Sequence, residues 1–108
     1  MTVYMIADLT LTDGAWIPDY AANVHPIVTA HGGRYLARSG NITSLEGAAK
    51  TSTVVAIVEF PDAAACLAFV NDPAYAPYKA ARGAGTQSQF FMIDNTDLVG
   101  SIPYLPPA

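Results

Sequence analysis

Residues 53–60, TVVAIVEF, are nearly all apolar, and the apolar side chains fall on both parities. In an extended chain successive side chains point to opposite faces of a sheet. A strand of this kind therefore needs cover on both sides. Helices packed on one face meet half of that requirement, and a second layer must meet the rest. At 108 residues the chain has room for one domain. It is 52% hydrophobic and 13% charged, which is apolar for a domain this small. The surplus points to an interface between copies.

Around that strand the pattern supplies the other elements. Residues 2–10, TVYMIADLT, alternate as a strand, with Val3, Met5, Ala7 and Leu9 on one face and Tyr4, Ile6 and Asp8 on the other. A helix follows, with Asp13 as a plausible N-cap and Trp16, Tyr20, Val24, Ile27 and His31 on one side. If Asp13 caps it, Pro18 falls a turn inside, so a later start also fits. Pro26 lies mid-helix. It implies either a curve around the sheet or a kink that opens a pocket beside His25. Gly32-Gly33 stops the helix.

Residues 34–38 form the second strand, extended or bulged towards Leu45, and 53–60 the third. Asp62 caps a second helix, and Asp72-Pro73 repeats the start signal for a third. Residues 87–94, QSQFFMID, form the fourth strand. The order β-α-β-β-α-(α)-β is the ferredoxin-like α+β arrangement, a four-stranded antiparallel sheet with helices on one face. The bare face would carry Ile6, Leu36, Val55, Ile57 and Phe91, and two such sheets packed together would bury them. A homodimer through the sheet faces is the expected assembly.

Net charge is −4 with a pI near 4.7, and Lys and Arg form no cluster, which argues against nucleic acid. No apolar run is long enough for a membrane span. Asp8 interrupts the apolar start, so a signal peptide is not expected, and the sequon at Asn41 carries little weight. A single cysteine, Cys66, suits a reducing compartment, and the expected location is cytoplasmic.

Four segments in order, HGGRYLARSG, LEG, EFP and DPAYAPYKAAR, resemble the DUF1330 family from about Tyr4 to Ile93. The resemblance implies the dimeric α+β barrel fold, with a single domain over 1–95; the prolines of 96–108 read as an irregular tail, longer than the family pattern. Proteins of that fold include muconolactone isomerase-like enzymes, cofactor-free monooxygenases and haem proteins, an analogy that does not settle chemistry. After the LEG this chain has GAAKTST, where the family more often carries basic residues.

Strand parity proposes a constellation. Asp8, Arg38, Glu59 and Gln89 each sit on a different strand and, counted regularly, share the non-helix face with Tyr4. An Arg38 flanked by Glu59 and Asp8 would form a polar centre in a dry layer, which suits either a structural ion pair or a ligand site. The candidate catalytic residues are Glu59, Asp8, Arg38 and His25. Tyr4, Tyr20, Arg34, Glu46 and Gln89 are candidate substrate contacts. His25 and His31 are six apart, off a common helix face, and make no metal pair. His31 reads as a helix C-terminal cation or core histidine, and Cys66 as inert core.

There is no GxGxxG, no phosphate-binding loop, no zinc spacing and no GxSxG elbow, so no cofactor and no metal are expected. Two functions fit. One is a small cofactor-independent enzyme, with isomerase, cyclase, lactone or monooxygenase-type chemistry on an apolar or aromatic carbonyl compound. In it Glu59 or Asp8 removes a proton and Arg38 stabilises the enolate. The other is a dimeric binding protein that holds a small acid on Arg38 without turnover.

Overall fold

The computed structural model describes residues 1–99. Its elements are β1 (Val3–Leu11), α1 (Ile17–Ala30), β2 (Arg34–Ser39), β3 (Val54–Phe60), α2 (Ala63–Val70), α3 (Ala76–Gly85) and β4 (Thr86–Asp94). The strands form one antiparallel sheet in the order β2-β3-β1-β4. This is the expected ferredoxin-like arrangement. Residues 95–99 lie in neither helix nor strand, and the rest of the expected tail, 100–108, lies outside the described residues.

The alternation of β1 is realised directly: Val3, Met5, Ala7 and Leu9 are buried against the helices. Ala56, Val58 and Phe60 of β3 lie beside them. Val24 and Val28 of α1, Cys66 and Phe69 of α2, and Tyr75 close this core. Tyr75, Phe69 and Phe60 stack in sequence, with ring centroids 4.4 and 5.8 Å apart.

The helix boundaries follow from local chemistry. Asp13 does not cap α1. Its carboxylate accepts from the Ala15 N–H within a turn, and the helix starts at Ile17 with a proline in its first turn. That later start puts Pro18 where a proline is tolerated. The helix runs on through Pro26. It ends in a Schellman motif: Gly33 N–H bonds the Val28 carbonyl, Gly32 N–H bonds that of Thr29, and Gly32 takes φ +78°. Asp62 caps α2 through the Ala65 N–H at 2.7 Å. Asp72-Pro73 opens a turn rather than the third helix, since the Asp72 side chain bonds Ala74 N–H and α3 begins at Ala76. His31 Nε2 meets Asp72 Oδ2 at 2.7 Å, tying the end of α1 to that turn. That bond and the Ala74 N–H hold the Asp72 carboxyl below the usual range.

The face away from the helices carries three cross-strand rows. Ile57, Ile6 and Phe91 cross its centre; Val55, Asp8 and Gln89 lie to one side, and Glu59, Tyr4 and Ile93 to the other. Phe91 and Ile93 are half exposed there. One expected member of the polar set is missing from this face. The β2–β3 register shifts between Tyr35 and Ala37, so a bulge at Leu36 consumes one residue. Arg34 pairs with Glu59 across the strands, but Arg38 pairs with Ala56 and stands on the helix side.

Candidate functional site

The strand switch moves the chemistry. A cavity of about 340 Å³ lies between the sheet and α1. Met5, Ala7, Ala56, Val58, Phe69 and Phe90 make its apolar walls, and among the described residues no carboxylate lines it. Trp16, Tyr20 and His25 enter from α1 and its lead-in, Tyr35 and Arg38 from β2. Those five side chains supply the polar atoms on which a ligand could orient, in an otherwise apolar pocket.

At the exposed rim His25, Tyr35 and Arg38 form one group. The imidazole of His25 and the ring of Tyr35 have centroids 4.9 Å apart. The Arg38 guanidinium carbon lies 4.1 Å from the Tyr35 centroid, a cation–π contact. Burial pushes the Tyr35 phenol up, and Arg38 works against that shift. Further in, Trp16 meets Tyr20 edge to face with centroids 5.1 Å apart. The Tyr20 hydroxyl lies 3.0 Å from that of Tyr75. Burial is the main cause holding the Tyr20 phenol far above its ordinary range.

The residues predicted from sequence divide between two faces. Arg38, His25 and Tyr20 converge on the cavity. Glu59 is on the opposite face, 3.4 Å from Arg34 Nη2 in a solvent-exposed pair. Asp8 is on that face too, where Lys50 Nζ approaches to 2.5 Å and Ser52 Oγ donates to it. The Lys50 and Ser52 hydrogen bonds depress the Asp8 carboxyl below its ordinary value. Gln89 is the cross-strand partner of Asp8, and Tyr4 that of Glu59. Glu46 sits exposed in the loop between β2 and β3. Arg38 is thus separated from both carboxylates expected to flank it, because the bulge reverses its parity. Tyr35 and Phe90 were not expected at the site, although their parity opposite Arg34 and Phe91 places them on the helix face. Cys66 is buried, and burial pushes its thiol up, as an inert core cysteine requires.

A four-stranded antiparallel sheet with helices on one face and this strand order defines a ferredoxin-like α+β protein. The chain belongs to the DUF1330 family, described as a domain of unknown function, which matches residues 2–96. No curated protein matches the chain. Among solved structures it is similar to RPA0582, a protein of unknown function from Rhodopseudomonas palustris, at 18% identity, covering 89% of this chain and 83% of that one, with a TM-score of 0.74. It is also similar to SnoaB, a cofactor-independent oxygenase from Streptomyces nogalater, at 18% identity over 89% and 94% of the two chains, TM-score 0.62. A dimeric ferredoxin-like protein of unknown function from Thermobifida fusca is 15% identical over 87% and 91%, TM-score 0.55. Likenesses at these identities establish the fold.

Proposed function

We propose that the chain is a small cofactor-independent enzyme that forms an enolate from an apolar or aromatic carbonyl compound held in the cavity. One observation carries this reading: an apolar cavity of about 340 Å³ with His25 and Arg38 grouped around Tyr35 at its rim. His25 accepts a proton from the carbon beside the carbonyl. Arg38 is a fixed cation for the oxygen on which charge develops. The apolar walls strengthen that attraction by excluding water. The base role passes to His25 because Glu59 and Asp8 are engaged on the opposite face. An enolate is the common intermediate of isomerisation, cyclisation, lactone chemistry and oxygenation, and the fold shared with a cofactor-independent oxygenase is consistent with it.

The same reading pairs two copies through the open sheet face, where the row of Ile57, Ile6 and Phe91 needs cover. The structural likeness to a dimeric ferredoxin-like protein supports this assembly.

The test is deuterium exchange at the benzylic C1 of 2-tetralone in heavy water, followed by proton NMR. The wild-type chain is expected to accelerate exchange, and H25Q and R38Q to abolish the acceleration. Exchange at the uncatalysed rate overturns the enzyme reading. Binding of 2-tetralone without exchange supports the alternative, a binding protein, for which the exposed Arg38 guanidinium at the rim is the favouring observation.

A further inference from the structure

One charge inside the molecule is not explained by the site as described. Arg82 of α3 is only 7% exposed. Its Nη1 donates to Ser88 Oγ at 2.9 Å, and its Cζ lies 3.9 Å from the centroid of the Phe90 ring. Its Nε has no hydrogen-bond partner, and no carboxylate pairs with it among the described residues. Removing a charge from water is costly unless an opposite charge and full hydrogen bonding compensate. One hydroxyl and one aromatic face are incomplete compensation.

The residues around this cation lead to the cavity. Phe90, on which the guanidinium rests, is one of its walls, and Tyr20 is another. Burial, with Tyr75 adding to it, keeps the Tyr20 phenol protonated, and the Arg82 charge works against them. Tyr20 is thereby a neutral donor under the influence of a buried cation. Tyr75, 1% exposed, shares a hydrogen bond with Tyr20. Either hydroxyl can donate in that bond, so when Tyr75 donates to Tyr20 the Tyr20 proton turns to an oxygen in the cavity.

We propose that Tyr20, backed by Tyr75 and by the buried charge of Arg82, is an oxyanion-binding site within the cavity, so that the ligand is an aromatic ring bearing an anionic oxygen. This rests on the cavity being the functional site, and it adds a ligand class and a second binding point apart from Arg38. A cavity lined by the Arg38 guanidinium, with Arg82 stacked on its Phe90 wall and no carboxylate in its lining among the described residues, selects an anion even though the chain as a whole is acidic.

The experiment is calorimetric titration with 2-naphthoate and its neutral analogue 2-naphthamide. The wild-type chain is expected to prefer the naphthoate by at least about tenfold. Y20F, which keeps the ring and removes one oxygen, should reduce that preference about tenfold, as expected when one hydrogen bond to a charge is lost. Y75F, which leaves Tyr20 without its backing donor, should reduce it in the same direction. R82M should do the same if it folds; Y20F keeps the test decisive if it does not. A preference unchanged in Y20F and abolished in R38Q overturns this inference and leaves the enolate reading standing, since that reading is judged separately by 2-tetralone exchange. Equal affinity for the two probes, or no binding of either, also overturns it.

Discussion

The Arg38 guanidinium rests on the ring of Tyr35, 4.1 Å from its centroid, and both residues face the cavity. Three positions apart on a regular strand, they would point to opposite faces. The bulge at Leu36 brings them together and separates Arg38 from Arg34, which stays with Glu59 on the open face. The two arginines of β2 are therefore expected to behave differently when replaced.

Replacing Arg34 tests the open face. Its pair with Glu59 is exposed and long at 3.4 Å. Pairs of this kind contribute roughly 0–1 kcal/mol. R34Q should shift the denaturation midpoint little and leave 2-tetralone exchange unchanged, whereas R38Q should lose the exchange. Chemical denaturation and the exchange assay, run on both variants, check this.

The end of α1 tests the packing behind the site. Gly32 takes φ +78°, where an added side chain is strained at any size. A Cβ on Gly33 would lie 2.6 Å from Val28 Cγ1 and 2.7 Å from Phe60 Cε1. G32A is expected to cost roughly 1–2 kcal/mol, and G33A roughly 1–3 kcal/mol through overpacking. Urea denaturation of both variants measures these losses.

Much of this architecture is legible in the sequence for physical reasons. Period-two alternation in β1 and the apolar run of β3 define the sheet, and Gly32-Gly33 and Asp62 mark helix ends because few other residues do those jobs. The bulge is not legible at Leu36, since nothing about Tyr35, Leu36 or Ala37 announces an extra residue. Parity counting therefore places Arg38 on the wrong face and, with it, the polar centre. The turn at Asp72 is misread for a related reason: the same side chain can cap a helix or close a turn, and its bond to His31 comes from a distant element. Arg82 gives no sequence sign of its burial, because its environment is set by Phe90 and Ser88 of the following strand.

Asp8 gives a pH signature. Its carboxyl is depressed below the ordinary value of 3.8 by Lys50 and Ser52. Such a group stabilises the fold above its unfolded value, and the contribution disappears as pH falls through the lower folded value. K50M should therefore destabilise the chain at neutral pH, by at most about 1 kcal/mol for so exposed a pair. The difference from wild type should shrink once the pH is below that depressed value. Thermal unfolding of the two proteins in a series of buffers from pH 7 downward through the acid range reads out this convergence.

The open face makes a prediction about assembly. Phe91 is half exposed in a row with Ile6 and Ile57. If two sheets cover each other there, F91E places a charge in an apolar interface and should yield monomers, with the wild type sedimenting as a dimer. Sedimentation velocity at matched concentrations distinguishes the two.

The location of the site is tested most directly by NMR titration of the wild-type chain with 2-tetralone. The single tryptophan is a built-in reporter, because Trp16 lines the cavity. Shifts of the Trp16 indole signal together with the Tyr35, Arg38 and Val58 amides are the predicted result. Shifts centred instead on Tyr4, Asp8, Ile57 and Gln89, with Trp16 unmoved, would place the site on the open sheet face and contradict this account.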